Sequence, residues 1–253
     1  MKSFTFFSAK GGVGKSTFTV LLASYLAYFL NKKVLVIDFE APSYRLKQFR
    51  DGDLTEAATE GSALSNYLKS HAINKPYIIN CMGKGINQYS SHDIVKLTTE
   101  VNNIIAKDEY EYIIFDFPAG LSDATLVSTL SINGLIDLMY IPHSTEMQER
   151  REAYRTGVAF SRAGQDVRML WNKLSPAYIK SPEMLKEAEE QFGEFGLKYS
   201  NYRIKSFNKA TQTAESRCFV RNTLCWPERY IQMACPEIIP LFGEIKEILD
   251  TKE

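Results

Sequence analysis

The stretch FTFFSAKGGVGKSTF, Phe4 to Phe18, constrains the fold more than any other part of the chain. An apolar run (Phe4–Ser8) enters a glycine-rich turn, and a long apolar segment leaves it. Glycines let the backbone turn so that successive N–H groups point inward, and a helix starting directly behind adds its positive end. The turn works only between a strand and a helix, so the sequence predicts a β-loop-α unit built to hold phosphate.

The residues follow the pattern G-x-x-x-x-G-K-[ST], with Ala9 in place of the first glycine: Ala9, Lys10, Gly11, Gly12, Val13, Gly14, Lys15, Ser16. In that pattern Lys15 reaches the β- and γ-phosphates, and the Ser16 hydroxyl binds Mg²⁺. Thr17 is placed to touch the α-phosphate. The expected ligand is a nucleoside triphosphate.

Further along, apolar runs alternate with segments of helical composition. Lys33–Ile37 (KVLVI), Tyr112–Phe115 (YIIF) and Leu135–Ile141 (LIDLMYI) are close to continuously apolar, as buried parallel strands are. Phe4–Ser8, Tyr77–Cys81 and Val167–Trp171 are companion strands. Helices are expected over Ser16–Leu30, Ser91–Lys107, Met147–Arg162 and Pro182–Phe192, the last preceded by Ser181. This order predicts an α/β fold, a doubly wound and mostly parallel sheet with helices on both faces. Residues 1–253 read as one P-loop domain, with a less regular basic region at about 198–229 and a last helix over Glu237–Leu249.

Charge excludes some functions. Lys and Arg number 30 against 30 Asp and Glu, so any contact with nucleic acid or membrane needs a local patch. Cys81, Cys218, Cys225 and Cys235 include no CxxC pair, which argues against a zinc ribbon and for reduced thiols in the cytoplasm. The most apolar stretch, Val20–Leu30, is far short of the roughly 20 residues of a membrane span.

The loop holds a second lysine, and KGGVGKS closely resembles the deviant Walker A motif of the ParA/MinD family, K-G-G-x-x-K-[ST]. The resemblance continues into an apolar strand with Asp38 and Glu40 at its end, where the family has D-x-D, and into DFPAG from Asp116. It implies that Lys10 crosses to a partner subunit and touches the nucleotide bound there, so that a homodimer holds two ATP molecules at its interface. It also implies that Asp38 lies near Mg²⁺ and Lys15, that Glu40 orients the attacking water, and that Asp116 holds a water on Mg²⁺. A backbone N–H at Gly120 would sense the γ-phosphate. Independently, a lysine not needed by its own phosphates can neutralise charge across an interface, as an arginine finger does. Glu40 replaces an aspartate, and one extra methylene moves a carboxylate by about 1 Å, a misplacement that can cost around 100-fold in rate.

Asn172-Lys173 resembles the start of the guanine-reading N-K-x-D, but residue 175 is Ser and supplies no carboxylate for guanine. ATP is therefore the expected nucleotide. The resemblance implies that Asn172 contacts adenine and that Pro227 lies against the base.

Between Lys198 and Arg229 seven basic residues face two acids, interleaved with Tyr199, Tyr202, Phe207 and Phe219. ParA-like proteins bind DNA nonspecifically through late basic residues, and such contacts are phosphate-dominated and salt-sensitive. An ordinary solvated face fits this composition equally well. The resemblance further implies an activating partner of ParB type. A MinD-like alternative needs a basic amphipathic tail, whereas the last helix carries Glu237, Glu244, Glu247 and Asp250. Membrane binding is thus not expected. An ATP-dependent ligase or synthetase of small molecules is a third reading, although no second set of convergent polar residues supports it.

Overall fold

The computed structural model describes residues 1–39, 77–80, 98–99, 102–103, 106, 110–117, 134–180, 182–206, 223, 230–231 and 236–252. Seven strands form one sheet: β1 (Lys2–Phe6), β2 (Val34–Asp38), β3 (Tyr77–Asn80), β4 (Tyr112–Asp116), β5 (Leu138–His143), β6 (Val167–Trp171) and the two-residue β7 (Lys198–Tyr199). Their order is β3-β2-β4-β1-β5-β6-β7, and every pairing is parallel. β1 therefore lies inside the sheet, between β4 and β5, with its carboxyl end midway along the ligand-facing edge.

Side-chain alternation divides the core in two. Phe4, Phe6, Val34, Val36, Tyr112, Ile114, Leu138 and Tyr140 face one layer of helices. Phe7, Leu35, Ile37, Ile113, Phe115, Met139 and Ile141 face the other. Both faces are covered, which is why β2 and β4 are apolar up to their terminal aspartates.

On the first face lies α1 (Lys15–Ser24), with eight of its ten residues buried. The helix expected as far as Leu30 is α-helical only to Ser24 and continues as a π-helical turn, Tyr25–Phe29. The wider turn stacks Tyr25 on Phe29, with ring centroids 5.8 Å apart, while Leu26 and Ala27 stay in the core. Beside them packs the last helix, α5 (Ile238–Asp250), through Ile238, Leu241, Phe242, Ile245 and Leu249. Its acids finish the docking. Glu244 accepts hydrogen bonds from Tyr140 Oη (2.6 Å) and Ser200 Oγ (2.7 Å), and Asp250 accepts from Lys2, Lys246 and Tyr112. Burial works to raise the Asp250 carboxyl, but these three donors hold its pKa well below the usual carboxylate range.

The second face carries α2 (Met147–Arg162), whose buried stripe is Glu149, Ala153, Gly157 and Phe160. Gly157 permits the close approach, since a Cβ there would lie 3.0 Å from Met169 Sδ and 3.2 Å from Leu197. A short α3 (Pro176–Lys180) and α4 (Glu183–Gly193) complete this side, with Leu185 and Ala188 against Trp171 and Leu174. Ser181 and Cys81 lie outside the described residues. So does most of the helix expected over Ser91–Lys107, although 98–99 and 102–103 within it are helical. β5 starts three residues later than its apolar run and includes Pro142 and His143.

His143 sits under an aromatic lid: Trp171 at 4.3 Å, Tyr199 at 5.7 Å and Phe192 at 6.5 Å between ring centroids. Its Nδ1 lies 3.1 Å from Ser144 O, which can only accept, so Nδ1 carries the proton and Nε2 accepts from Tyr199 Oη at 3.2 Å. Burial lowers its pKa to about 4. The unfolded chain, with a histidine near 6.5, binds more protons between those values, so His143 lowers stability as pH falls from about 6.5 towards 4. Between pH 7 and 4.5 wild type is expected to lose about 2 kcal/mol more unfolding free energy than His143→Gln. Denaturant titrations at both pH values test this, and an NMR titration of His143 with a midpoint near 6.5 would refute it.

Candidate functional site

The carboxyl ends of β1, β2, β4, β5 and β6 converge on the glycine-rich loop. From β1 the chain passes Phe7, whose N–H continues the ladder to Tyr140 O at 2.9 Å, and then Ser8, whose Oγ accepts the Lys10 N–H at 3.3 Å. Gly12 and Gly14 adopt φ of +75° and +96°, which turn the chain tightly enough for α1 to begin at Lys15. Val13 is buried between them and pins the loop to the body. No side chain caps α1 and its first turn holds no acid, so its free N–H groups and positive end face an incoming anion.

Lys15 is 6% exposed and curls back over the loop, with Nζ 3.2 Å from Lys10 O. Its ammonium thus lies over the backbone of the glycine-rich turn, a placement of positive charge that suits a polyphosphate. Ser16 and Thr17 follow, half-buried, in the first turn of α1.

Beside the loop, Asp38 and Asp116 are register partners on β2 and β4. Both are fully buried, at the end of the face that α1 covers. Asp116 Oδ1 accepts a hydrogen bond from Thr19 Oγ1 of α1 at 3.1 Å, which fastens the helix to the strand. Two adjacent buried carboxylates require positive charge nearby. With the Ser16 hydroxyl they form a set of hard oxygen donors that suits Mg²⁺ rather than a softer metal.

Lys10 points away from its own loop. Nζ lies 3.1 Å from Glu146 Oε2 and 3.3 Å from Glu149 Oε1, at the start of α2. Desolvation acts to lower its pKa, but the hydrogen bonds and charges of the two glutamates prevail and raise it above the ordinary lysine value. Burial acts to raise the Glu149 carboxyl, yet hydrogen bonds from Ser144 and Lys10 bring it below its usual value. Ser144 Oγ and N–H both donate to Glu149 Oε2, so the anchor of Lys10 is itself held.

From β6, Asn172 is 5% exposed and donates Nδ2 to Val13 O at 2.8 Å, while its Oδ1 accepts the Lys173 N–H at 2.8 Å. Lys173 Nζ donates to Gly12 O. The structure thus gathers Lys10, Gly11 to Thr17, Asp38, Asp116 and Asn172 at one edge of the sheet. Glu40, Gly120 and Pro227 lie outside the described residues. Sequence reasoning missed Thr19, Glu146 and Glu149, and it noted Lys173 beside Asn172 without its contact to the loop. Glu149 reads as an acid suited to a helix start, and nothing local links it to Lys10.

A sequence model of the AAA domain family matches residues 1–147. An uncharacterized ATP-binding protein of Methanocaldococcus jannaschii is 27% identical over 203 residues, covering 74% of this chain and 74% of that protein. The chromosome-partitioning ATPase Soj of Treponema pallidum is 27% identical over 143 residues, 52% of this chain and 54% of Soj. Among solved structures, the MinD cell division protein of Aquifex aeolicus superposes with a TM-score of 0.67 at 18% identity, covering 98% of this chain and 97% of MinD. At that identity the likeness establishes the fold.

Gly14 ties the loop's conformation to its surroundings. A Cβ added there would carry an unfavourable left-handed backbone and stand 3.2 Å from Asn172 Nδ2. Gly14→Ala is expected to cost about 1–2 kcal/mol of stability and to weaken nucleotide binding at least tenfold. Thermal unfolding and calorimetric titration with ADP check both, and wild-type affinity in the variant would show that the loop does not need this geometry.

Proposed function

The chain belongs to the AAA domain family and is a P-loop ATPase of the ParA/MinD type, and from that premise we propose that ATP joins two copies of it into a dimer that binds DNA until hydrolysis releases it. The observation that carries this reading is the second lysine. Lys15 already serves the loop, whereas Lys10 is held off it by Glu146 and Glu149. An ammonium positioned beside a phosphate site without being used there is suited to a second nucleotide, brought by a second copy.

In this reading the loop N–H groups and Lys15 hold the β- and γ-phosphates, and Lys10 leaves its glutamates to neutralise charge on the partner's nucleotide. Ser16 and Asp116 would hold Mg²⁺, with Asp38 beside them, and the ion would supply positive charge that offsets the charge of the phosphates. Glu40 orients the attacking water, and Gly120 senses the γ-phosphate. Water adds to the γ-phosphorus as the bond to the ADP oxygen breaks, giving ADP and phosphate. Asn172 and Pro227 would border the adenine. A ParB-like or other activating protein would complete the water-positioning role of Glu40.

Two facts support DNA as the cargo: the basic segment from Lys198 to Arg229, and the likeness to a chromosome-partitioning ATPase. A second reading, a MinD-like positioning ATPase acting on a membrane or protein, draws on the likeness in fold to MinD. Against lipid anchoring by α5 stands its apolar stripe, which is already buried on the sheet.

Light scattering of Glu40→Gln with ATP, ADP or neither tests the switch, followed by binding to nonspecific duplex DNA at two salt concentrations. The expected result is a dimer with ATP alone, which binds DNA and loses affinity as salt rises. Lys10→Ala is expected to keep ATP binding, lose the dimer and lose turnover on the order of 1000-fold, the scale of an arginine finger. Dimers indifferent to DNA would shift the cargo to protein or membrane. ATP binding without dimers would overturn the reading and bring forward small-molecule chemistry.

A further inference from the structure

We propose that Lys173, together with Asn172, is a positioning residue for the nucleotide: the pair grips the outer carbonyls of the glycine-rich loop and so keeps its N–H groups turned towards the phosphates. This rests on the nucleotide-binding part of the reading above and not on its dimer or its cargo.

A loop that turns successive N–H groups inward turns its carbonyls outward, and protein donors that meet those carbonyls fix the turn more firmly than water does. At two consecutive positions the donors come from one turn after β6. Asn172 Nδ2 meets Val13 O at 2.8 Å, and Lys173 Nζ meets Gly12 O. These are the peptides at the centre of the loop, flanked by the positive-φ glycines 12 and 14.

The gripping turn is rigid. The Asn172 N–H donates to His143 O of β5 at 2.8 Å, and the Leu174 N–H donates to Ile204 O at 3.1 Å, so backbone bonds hold both sides of Lys173. The Asn172 amide is oriented as well, because Oδ1 accepts the Lys173 N–H and leaves Nδ2 for Val13. Its second Nδ2 proton remains for a base, so one amide can touch loop and nucleotide together.

Lys173 has an unusual backbone for its residue type. Its φ is +55°, a left-handed conformation in which a side chain with a Cβ is disfavoured and where glycine or asparagine is usual. Lys173 is exposed, so burial does not impose this backbone on it. The conformation directs the ammonium back over the turn to Gly12 O, and such a backbone persists where neighbouring contacts impose it. The positive charge also adds to the field at the phosphates from the side opposite Asp38 and Asp116, since β6 and β2 lie on either side of β1.

The test separates positioning from structural support by the sign of two effects. Lys173→Gly removes the ammonium and also relieves the left-handed backbone, so the nucleotide-free protein should melt as high as wild type or higher. Affinity for ADP with Mg²⁺, measured by calorimetric titration, should nevertheless fall about tenfold, and Lys173→Met should fall by as much. Lys173→Arg, which can still reach the carbonyl, should recover most of the affinity. In steady-state hydrolysis the loss should appear in KM more than in kcat. Wild-type ADP affinity in both Lys173→Gly and Lys173→Met would overturn the proposal, as would an affinity loss that Arg does not recover. A wild-type protein that binds ADP but forms no ATP dimer would sink the switch reading and leave this inference intact.

Discussion

A phosphate loop has to turn its N–H groups inward, and the surroundings of this loop answer to that one requirement. Inward N–H groups leave outward carbonyls, and those of Gly12 and Val13 are met by Lys173 and Asn172. Positive φ at Gly12 and Gly14 makes the turn possible, and β1 carries it to the middle of the edge. Strands on one side of β1 contribute the buried aspartates; on the other side the start of α2 contributes the acids that hold Lys10, and the end of β6 the amide that holds the loop. The doubly wound order brings both sets within reach of one turn.

Much of this architecture was legible because burial on both faces of a parallel sheet leaves no freedom in composition. β6 was read at its observed bounds, and β2 and β4 lay within one residue of theirs. β5 was displaced for a physical reason. Leu135 and Ile136 are apolar yet precede the strand, because Asp137 turns to accept bonds from the Ser3 N–H and hydroxyl. Pro142 then reads as a strand breaker but sits inside the strand, a place that propensity alone disfavours. Similarly, helical composition up to Leu30 could not reveal the π turn, which depends on how Tyr25 and Phe29 stack and on Phe242 of α5 at 5.6 Å from Tyr25.

The site divides along the same line. A strand-to-helix motif exposed the loop, and carboxylates at strand ends exposed Asp38 and Asp116. The contact of Lys173 stayed hidden because its partner is 161 positions away and its φ cannot be read from a lysine code. Glu146 and Glu149 were hidden likewise: pairing across 136 positions follows from β5 lying beside β1, a fact of topology. Local pattern identified groups that bind a ligand; it could not identify groups that bind one another.

The aromatic stack over His143 has an optical consequence. Trp171 is one of two tryptophans in the chain, and it immediately precedes Asn172 on the strand that grips the loop. Its indole is fully buried, lies 4.3 Å from the imidazole and 5.5 Å from the Tyr199 ring, and donates Nε1–H to Glu189 at 2.8 Å. A fluorophore so enclosed emits towards the blue and is sensitive to small shifts of its neighbours. The chain therefore carries, one peptide bond from the asparagine that holds its phosphate loop, a buried fluorophore placed to sense movement of that strand end.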